Sequence, residues 1–248
     1  MKTIRVLFKT ECILAIREFS GVLFGILLPA GLILLLGVIY QGEMVEQASY
    51  SKIQQAFGGV ITIGICATGL MGIPLTITSY REKKVLKRFQ VTPTSPMNLL
   101  FAQVLSQLVF AILSSVIVYL IAKLAFGYAM IGSVLEFILT YLLVTASIYA
   151  LGMCIASISD SIKTVNLLCT IIYFPMIFLS GATVPYEVMP KGLQAFAQVM
   201  PLTHGIKLLK GVSLGEPIGS FTVSIIILIF TAIMGMLISI KTFKYTFD

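Results

Sequence analysis

The chain has 248 residues, of which 58% are apolar and only 11% charged, against roughly 25% charged in soluble domains. That composition excludes an ordinary water-soluble fold, and the length suits about six membrane spans of about 20 residues with short connections. The formal net charge of +7 sits on residues scattered between apolar runs, so no continuous basic face is offered to a nucleic acid.

In chain order, residues 1–18 come first. Ile4, Phe8, Cys12, Ala15 and Ile16 fall on one helical stripe that continues to Phe19, and Lys2, Arg5 and Lys9 fall on another. This pattern predicts an interfacial helix on an anionic membrane surface. Six apolar runs follow, at 19–40, 57–80, 99–122, 135–157, 165–182 and 221–240. Each is near the length that crosses a ~30 Å hydrocarbon core as helix. Their apolar character is continuous, not alternating, which excludes a barrel wall. The first run is longer than the apolar region of a signal peptide and has no small-x-small cleavage site behind it, so it is expected to stay attached. The expected fold is an all-α membrane protein, a single transmembrane domain over 1–248 with six transmembrane helices. Trp is absent, and Tyr40, Tyr80, Tyr128 and Tyr245 are expected to anchor the run ends at the interface.

The basic residues set the expected orientation. Lys2, Arg5, Lys9, Arg17, Arg81, Lys83, Lys84, Lys87, Arg88, Lys163, Lys241 and Lys244 all fall in connections on one side of a six-span topology. Lys52, Lys123, Lys191, Lys207 and Lys210 fall on the other. The positive-inside rule then predicts a multi-pass plasma membrane protein with both termini cytoplasmic. Glu136 is the only acid or base within a run, at the outer edge of the fourth and expected close to Lys123. The bilayer midplane is therefore uncharged, which argues against an ion-coupled carrier.

Catalytic and metal chemistry find little support. Cys12, Cys66, Cys154 and Cys169 are widely spaced without a Cys-x-x-Cys pair, so neither a disulfide nor a metal site is expected. Gly211-Val212-Ser213-Leu214-Gly215 has the spacing of a nucleophile elbow, but the one histidine, His204, precedes it and no acid partner is evident. An intramembrane hydrolase on Ser213 and His204 is thus the weaker rival reading, as is a passive channel. The chain contains no Gly-Lys pair for a P-loop, so any ATP hydrolysis belongs to another chain.

The second connection, residues 81–98, carries Arg81, Lys83, Lys84, Lys87 and Arg88, then Thr92-Pro93-Thr94-Ser95-Pro96. A short basic helix is expected to end near Gln90, and the third span to begin after Ser95, with its hydroxyl as cap and Pro96 at the first helical position. Val85, Leu86 and Phe89 add apolar contacts, and the whole stretch is expected to be a docking surface. The fifth connection, residues 183–220, is long and too apolar for a solvated loop. Leu193, Phe196, Ala197 and Met200 form one stripe, Pro201 breaks it, and Leu202, Ile206 and Leu209 form a second. A pair of short helices whose apolar faces are buried in the outer leaflet is expected there.

These residues carry a family resemblance. The element Tyr80-Arg81-Glu82-Lys83-Lys84, the Leu86-Lys87-Arg88 step and the Thr92 to Pro96 turn resemble the cytoplasmic loop of ABC-2 type permeases. Ser180 to Tyr186 and Met200 to His204 look like the flanks of that family's outer paired-helix element. The resemblance covers nearly the whole chain and implies the permease subunit of an ATP-driven exporter, without an ATPase site of its own. Its implied partners are an ABC ATPase subunit dimer, which would bind ATP and Mg, a second permease copy or related permease, and membrane lipid. Arg81, Glu82, Lys83, Lys87, Arg88 and Pro93 are the implied ATPase-coupling positions, and Leu193, Phe196, Met200 and His204 the implied outer exit element. The implied cargo is an amphiphilic or hydrophobic compound such as a drug, antibiotic, peptide or lipid-like molecule, with a lipid-linked glycan as the alternative.

Overall fold

A computed structural model of the chain describes residues 2–40, 42–45, 49–90, 95–183, 186 and 189–243. Among these, ten helices account for the fold, and the only β-pairing is an isolated bridge between Met44 and Ser51. We label them α1 (Lys2–Arg17), α2 (Phe19–Ile39), α3 (Lys52–Glu82), α4 (Val85–Gln90), α5 (Pro96–Phe126), α6 (Val134–Ile158), α7 (Ile162–Leu179), α8 (Lys191–Ala197), α9 (Pro201–Ser213) and α10 (Ile218–Thr242). Six of them, α2, α3, α5, α6, α7 and α10, are long and apolar enough to cross a membrane. Each contains the core of one expected apolar run. α3 and α5 extend beyond theirs to 31 residues each, because polar caps and loop-facing turns carry the helix past the apolar segment.

The helix starts follow from local chemistry. Ser51 accepts from the Gln54 amide at 3.2 Å while the Gln54 side chain accepts from the Ser51 amide at 2.8 Å, a reciprocal cap that begins α3. Ser95 accepts from the Met97 amide at 3.2 Å with Pro96 in the first turn of α5, as the sequence predicts. Gly127, in the left-handed region at φ 65°, closes α5.

α3 is the central post of the bundle. It packs against α2, α5, α6, α7 and α9, and most of its residues from Phe57 to Leu70 are buried. α6 and α10 pair along much of their length, and α9 lies across α3, α6 and α10. Two helices carry a wide π turn, Leu23–Leu27 in α2 and Thr68–Gly72 in α3. Each ends two residues before a proline, Pro29 or Pro74. A helical proline has no N–H to donate and its ring crowds the carbonyl four residues back. The π turn relieves this locally, and the Leu28 and Ile73 amides reach instead to the Leu23 and Thr68 carbonyls. The two turns meet, since a Cβ on Gly25 would stand 3.6 Å from the Thr68 methyl.

Several expectations need correction. The buried face of α1 centres on Glu11 and Ala15, and the helix packs along α5; Ile4 and Ile16 of the expected stripe are exposed. Of the tyrosines expected to anchor run ends, Tyr80 is half-buried and Tyr128 is buried. Tyr80 binds Glu11, and Tyr128 is buried in an aromatic cluster, 4.2 Å between ring centroids from Phe57. Tyr245 lies outside the described residues. No ion pair joins Lys123 and Glu136 among the described residues. In the connection after α7, the second stripe is buried through Leu202, Ile206 and Leu209, whereas Leu193 and Phe196 of the first are 42% and 55% exposed.

Candidate functional site

Polar and charged side chains gather at the helix ends of one pole of the bundle. α3 ends at Glu82, and the chain turns sharply through Lys83 and Lys84 into α4. Lys84 holds φ at 55°, the one non-glycine residue with positive φ among those described. A side chain in this left-handed region costs about 1–3 kcal/mol and persists where the surroundings impose it. Here the Lys84 amide donates to the Arg81 carbonyl at 2.9 Å and its own carbonyl receives the Arg88 amide at 3.1 Å, which locks the elbow on both sides.

α4 is amphipathic, and its faces are divided cleanly. Leu86 is fully buried, and Val85 and Phe89 pack partly buried against the core. Glu82, Lys83, Lys84, Lys87 and Arg88 are exposed and line a shallow open cleft of about 450 Å³. The apolar residues of this stretch therefore fasten α4 to the bundle and do not face outward, while the charged residues form a platform. Pro93 lies outside the described residues.

Arg81 is placed differently from its neighbours. It is 2% exposed, and its guanidinium donates to the Ser159 carbonyl at 3.1 Å and to the Ala156 carbonyl. It thereby caps the end of α6, where the final carbonyls lack intrahelical partners and the helix dipole is negative. The guanidinium also stands 5.1 Å over the ring of Phe243, just past α10. One residue earlier, the Tyr80 hydroxyl lies 2.8 Å from both carboxylate oxygens of Glu11. Glu11 is 2% exposed, and burial raises its pKa above the ordinary 4.5, opposed by the hydrogen bond from Tyr80. The Tyr80-Arg81 pair thus clasps α1, α6 and the end of α10 to the base of the platform.

Sequence reasoning names Arg81 but not its burial, and it misses Glu11, Tyr80 as a hydrogen-bond donor, Phe243 and the strained Lys84. A signal for Glu11 exists: it is the one acid in α1 and lies four residues from both Leu7 and Ala15, hence on their face.

At the opposite pole, α9 is held by side chains and backbone together. His204 is buried, with Nδ1 3.1 Å from the Ser224 hydroxyl and Nε2 2.9 Å from the Gln198 carbonyl. A carbonyl only accepts, so Nε2 carries the proton and the ring joins α8, α9 and α10. Ser213 donates to the Lys210 carbonyl at 2.8 Å, and its own carbonyl receives the Ile131 and Gly132 amides at 3.2 Å each. Both side chains of the hydrolase reading are thus engaged in structural bonds, and neither bonds to the other. Met200 is half-buried at the joint between α8 and α9.

Comparison with known proteins gives a consistent result. A family model described as ABC-2 type transporter matches residues 2–214. The inner membrane transport permease YhhJ of Escherichia coli K12 is 29% identical over 160 residues, 63% of this chain and 42% of that protein. Nodulation protein J of Rhizobium leguminosarum bv. viciae is 32% identical over 90 residues, 36% of this chain and 35% of that one. The probable multidrug ABC transporter permease YbhR of Escherichia coli K12 is 24% identical over 157 residues, covering 63% and 42%. In each of these relatives the match spans less than half of its own length.

Proposed function

The chain belongs to the ABC-2 type transporter family, and from that membership we propose that it is the permease subunit of an exporter powered by a separate ATPase chain docked on α4. The observation that carries this reading is the basic platform. Four exposed cations, Lys83 and Lys84 in the elbow and Lys87 and Arg88 on α4, are carried by a short helix that its fully buried Leu86 fastens to the bundle. A force on such a platform is delivered to the bundle instead of being lost in a mobile loop, because α4 continues into α3 through the locked Lys84 elbow.

In this mechanism the ATPase dimer binds ATP and Mg, and its closure pushes α4. Arg81 and Tyr80 act as positioning residues that pass the displacement to α6, α10 and α1 together. The π turns beside Pro29 and Pro74 are where α2 and α3 can bend, since a widened turn has already given up regular hydrogen bonding. A second permease copy completes the pathway, with the exposed apolar residues of α8, Leu193 and Phe196, at its outer exit. The absence of charge from the middle of the six spans suits an amphiphilic or hydrophobic cargo, and the multidrug designation of one relative supports that class.

Reversing Lys87 and Arg88 to glutamate tests the docking assignment. Repulsion at an interface leaves the buried side of α4 untouched, so the double variant should insert and purify as wild type while export stops and the ATPase no longer co-purifies. Wild-type export with a retained ATPase would refute the platform as the docking site.

A further inference from the structure

A groove separate from the platform opens on the side of the bundle between α5 and α6, with α3 behind it. It holds about 480 Å³, within the ~300–1,000 Å³ range of small-molecule sites. Phe57 of α3 and Phe137 of α6, with ring centroids 6.1 Å apart, form part of its aromatic back wall. No charged side chain lines it, and of its three hydroxyl-bearing residues Ser115 and Tyr141 bond to each other at 3.1 Å, Tyr119 being the third.

The α5 wall consists of Ile112, Ser115, Val116 and Tyr119. These positions follow i, i+3, i+4, i+7, and the next on the same face is i+11, which is Lys123. Its ammonium stands 5.7 Å from the centroid of the Tyr119 ring, is exposed, and has no carboxylate within 4 Å among the described residues. Glu136 makes no ion pair with it, and against an α6 wall of Val134, Phe137, Ile138, Tyr141 and Leu142 Glu136 falls about half a turn from the centre of that lining. From Ile112 to Lys123 the groove and its cation extend about 16 Å along the helix, about half of a ~30 Å hydrocarbon core. An apolar trough one leaflet deep, ending in an uncompensated ammonium at the headgroup level, has the dimensions and charge of a single acyl chain with an anionic head.

We propose that this groove binds an anionic phospholipid of the leaflet opposite the α4 platform, one acyl chain lying against Ser115 to Tyr119 and the phosphate at Lys123. The site requires only that the six spans lie in a bilayer, so it stands or falls separately from the ATPase docking surface and from the cargo.

The chain has no Trp, so Ile138→Trp provides a single fluorophore on the groove rim. In phosphatidylcholine vesicles doped with dibrominated phosphatidylglycerol, it should be quenched with about fivefold higher apparent affinity than when phosphatidylcholine carries the bromines, the size of one lysine's preference for anionic lipid. Adding Lys123→Gln should abolish that preference and Lys123→Arg should preserve it. Val116→Phe, which fills the trough and leaves the cation in place, should reduce quenching by both lipids. A single Trp replacing Leu167, on the exposed face of α7, reports the bulk bilayer and should show no preference. Equal quenching by the two lipids at the Ile138 reporter, a preference that survives Lys123→Gln, or quenching unchanged by Val116→Phe would each overturn the proposal.

Discussion

Glu11 is the buried acid through which the peripheral helix α1 is bound to Tyr80 of α3. Its carboxylate has left water, which raises its pKa, and the Tyr80 hydroxyl at 2.8 Å holds part of the rise back. A group whose folded value lies above its unfolded one stabilises the fold fully below the unfolded value, here the ordinary 4.5, and the contribution is lost as pH rises through the folded value. The docking of α1 should therefore weaken from mildly acidic pH upward. Thermal unfolding of the detergent-solubilised protein at a series of pH values checks this. Tyr80→Phe removes the bond that favours the carboxylate, so the loss should shift to higher pH, and Glu11→Gln should remove this component of the pH dependence. A wild-type profile in Glu11→Gln would show that the carboxyl does not titrate with docking.

At the scale of elements, the contact between α3 and α6 depends on missing side chains. Gly152 of α6 lies so close to α3 that a Cβ there would run into the Gly69 carbonyl oxygen, and a Cβ on Gly69 would meet Ile148 and Tyr149 at 2.8 Å. This contact sits on the π turn of α3, where Tyr149 also reaches Thr68 at 2.9 Å. Backbone cannot move aside as a flexible side-chain end does, so Gly152→Ala should cost about 1–3 kcal/mol. Gly192→Ala, with open space around it, should cost far less, and unfolding midpoints of the two variants compare them directly.

The number, order and approximate limits of the spans are legible in the sequence, because a stretch that must satisfy its own backbone in hydrocarbon has to be both helical and continuously apolar. The caps at Ser95 and Pro96 are legible for the same reason that any local chemistry is. The π turns are not, since Pro29 and Pro74 by themselves are compatible with a kink, a break or a widened turn. The basic platform is readable as composition. Its division into an exposed charged face and the buried Arg81 clasp is not, because that depends on where α6 and α10 end in space. Likewise the stripe on α8 predicts an apolar face but not what covers it. Phe196 is 55% exposed in the single chain, so Phe196→Asp should leave folding intact. If a partner covers the face in the working assembly, export should fail with the protein still expressed and its ATPase still active. Loss of the folded protein would instead place Phe196 in a packing role within the subunit.

For the whole molecule, side-chain contacts sort the helix ends into two poles. Arg81 touches the end of α6 and the residue after α10, and Tyr80 touches α1, so these helix ends share one pole. Lys2 to Arg17, Lys83 to Arg88 and Lys241 belong to it, and Lys163 in the first turn of α7 follows directly after the Arg81 contact at Ser159. At the other pole lie α9, the start of α3 and the loop between α5 and α6, joined through Ser213 to Ile131 and Gly132 and through Gln54 to Ala129 at 2.7 Å. The described basic residues that sequence assigns to one side by alternation of spans thus lie toward one end of the bundle. In the proposed orientation the positive-inside rule puts the richer end in the cytoplasm, and the Lys123 groove would then open toward the outer leaflet. In a background with Cys12, Cys66, Cys154 and Cys169 replaced by serine or alanine, a cysteine at Gln194 should react with a membrane-impermeant maleimide added to intact cells. A cysteine at Lys87 should react only after the membrane is permeabilised. Labelling of the Lys87 site in intact cells with protection at Gln194 would invert the topology. The basic platform would then lie where no cytoplasmic ATPase reaches it, and the docking proposal would fall with the orientation.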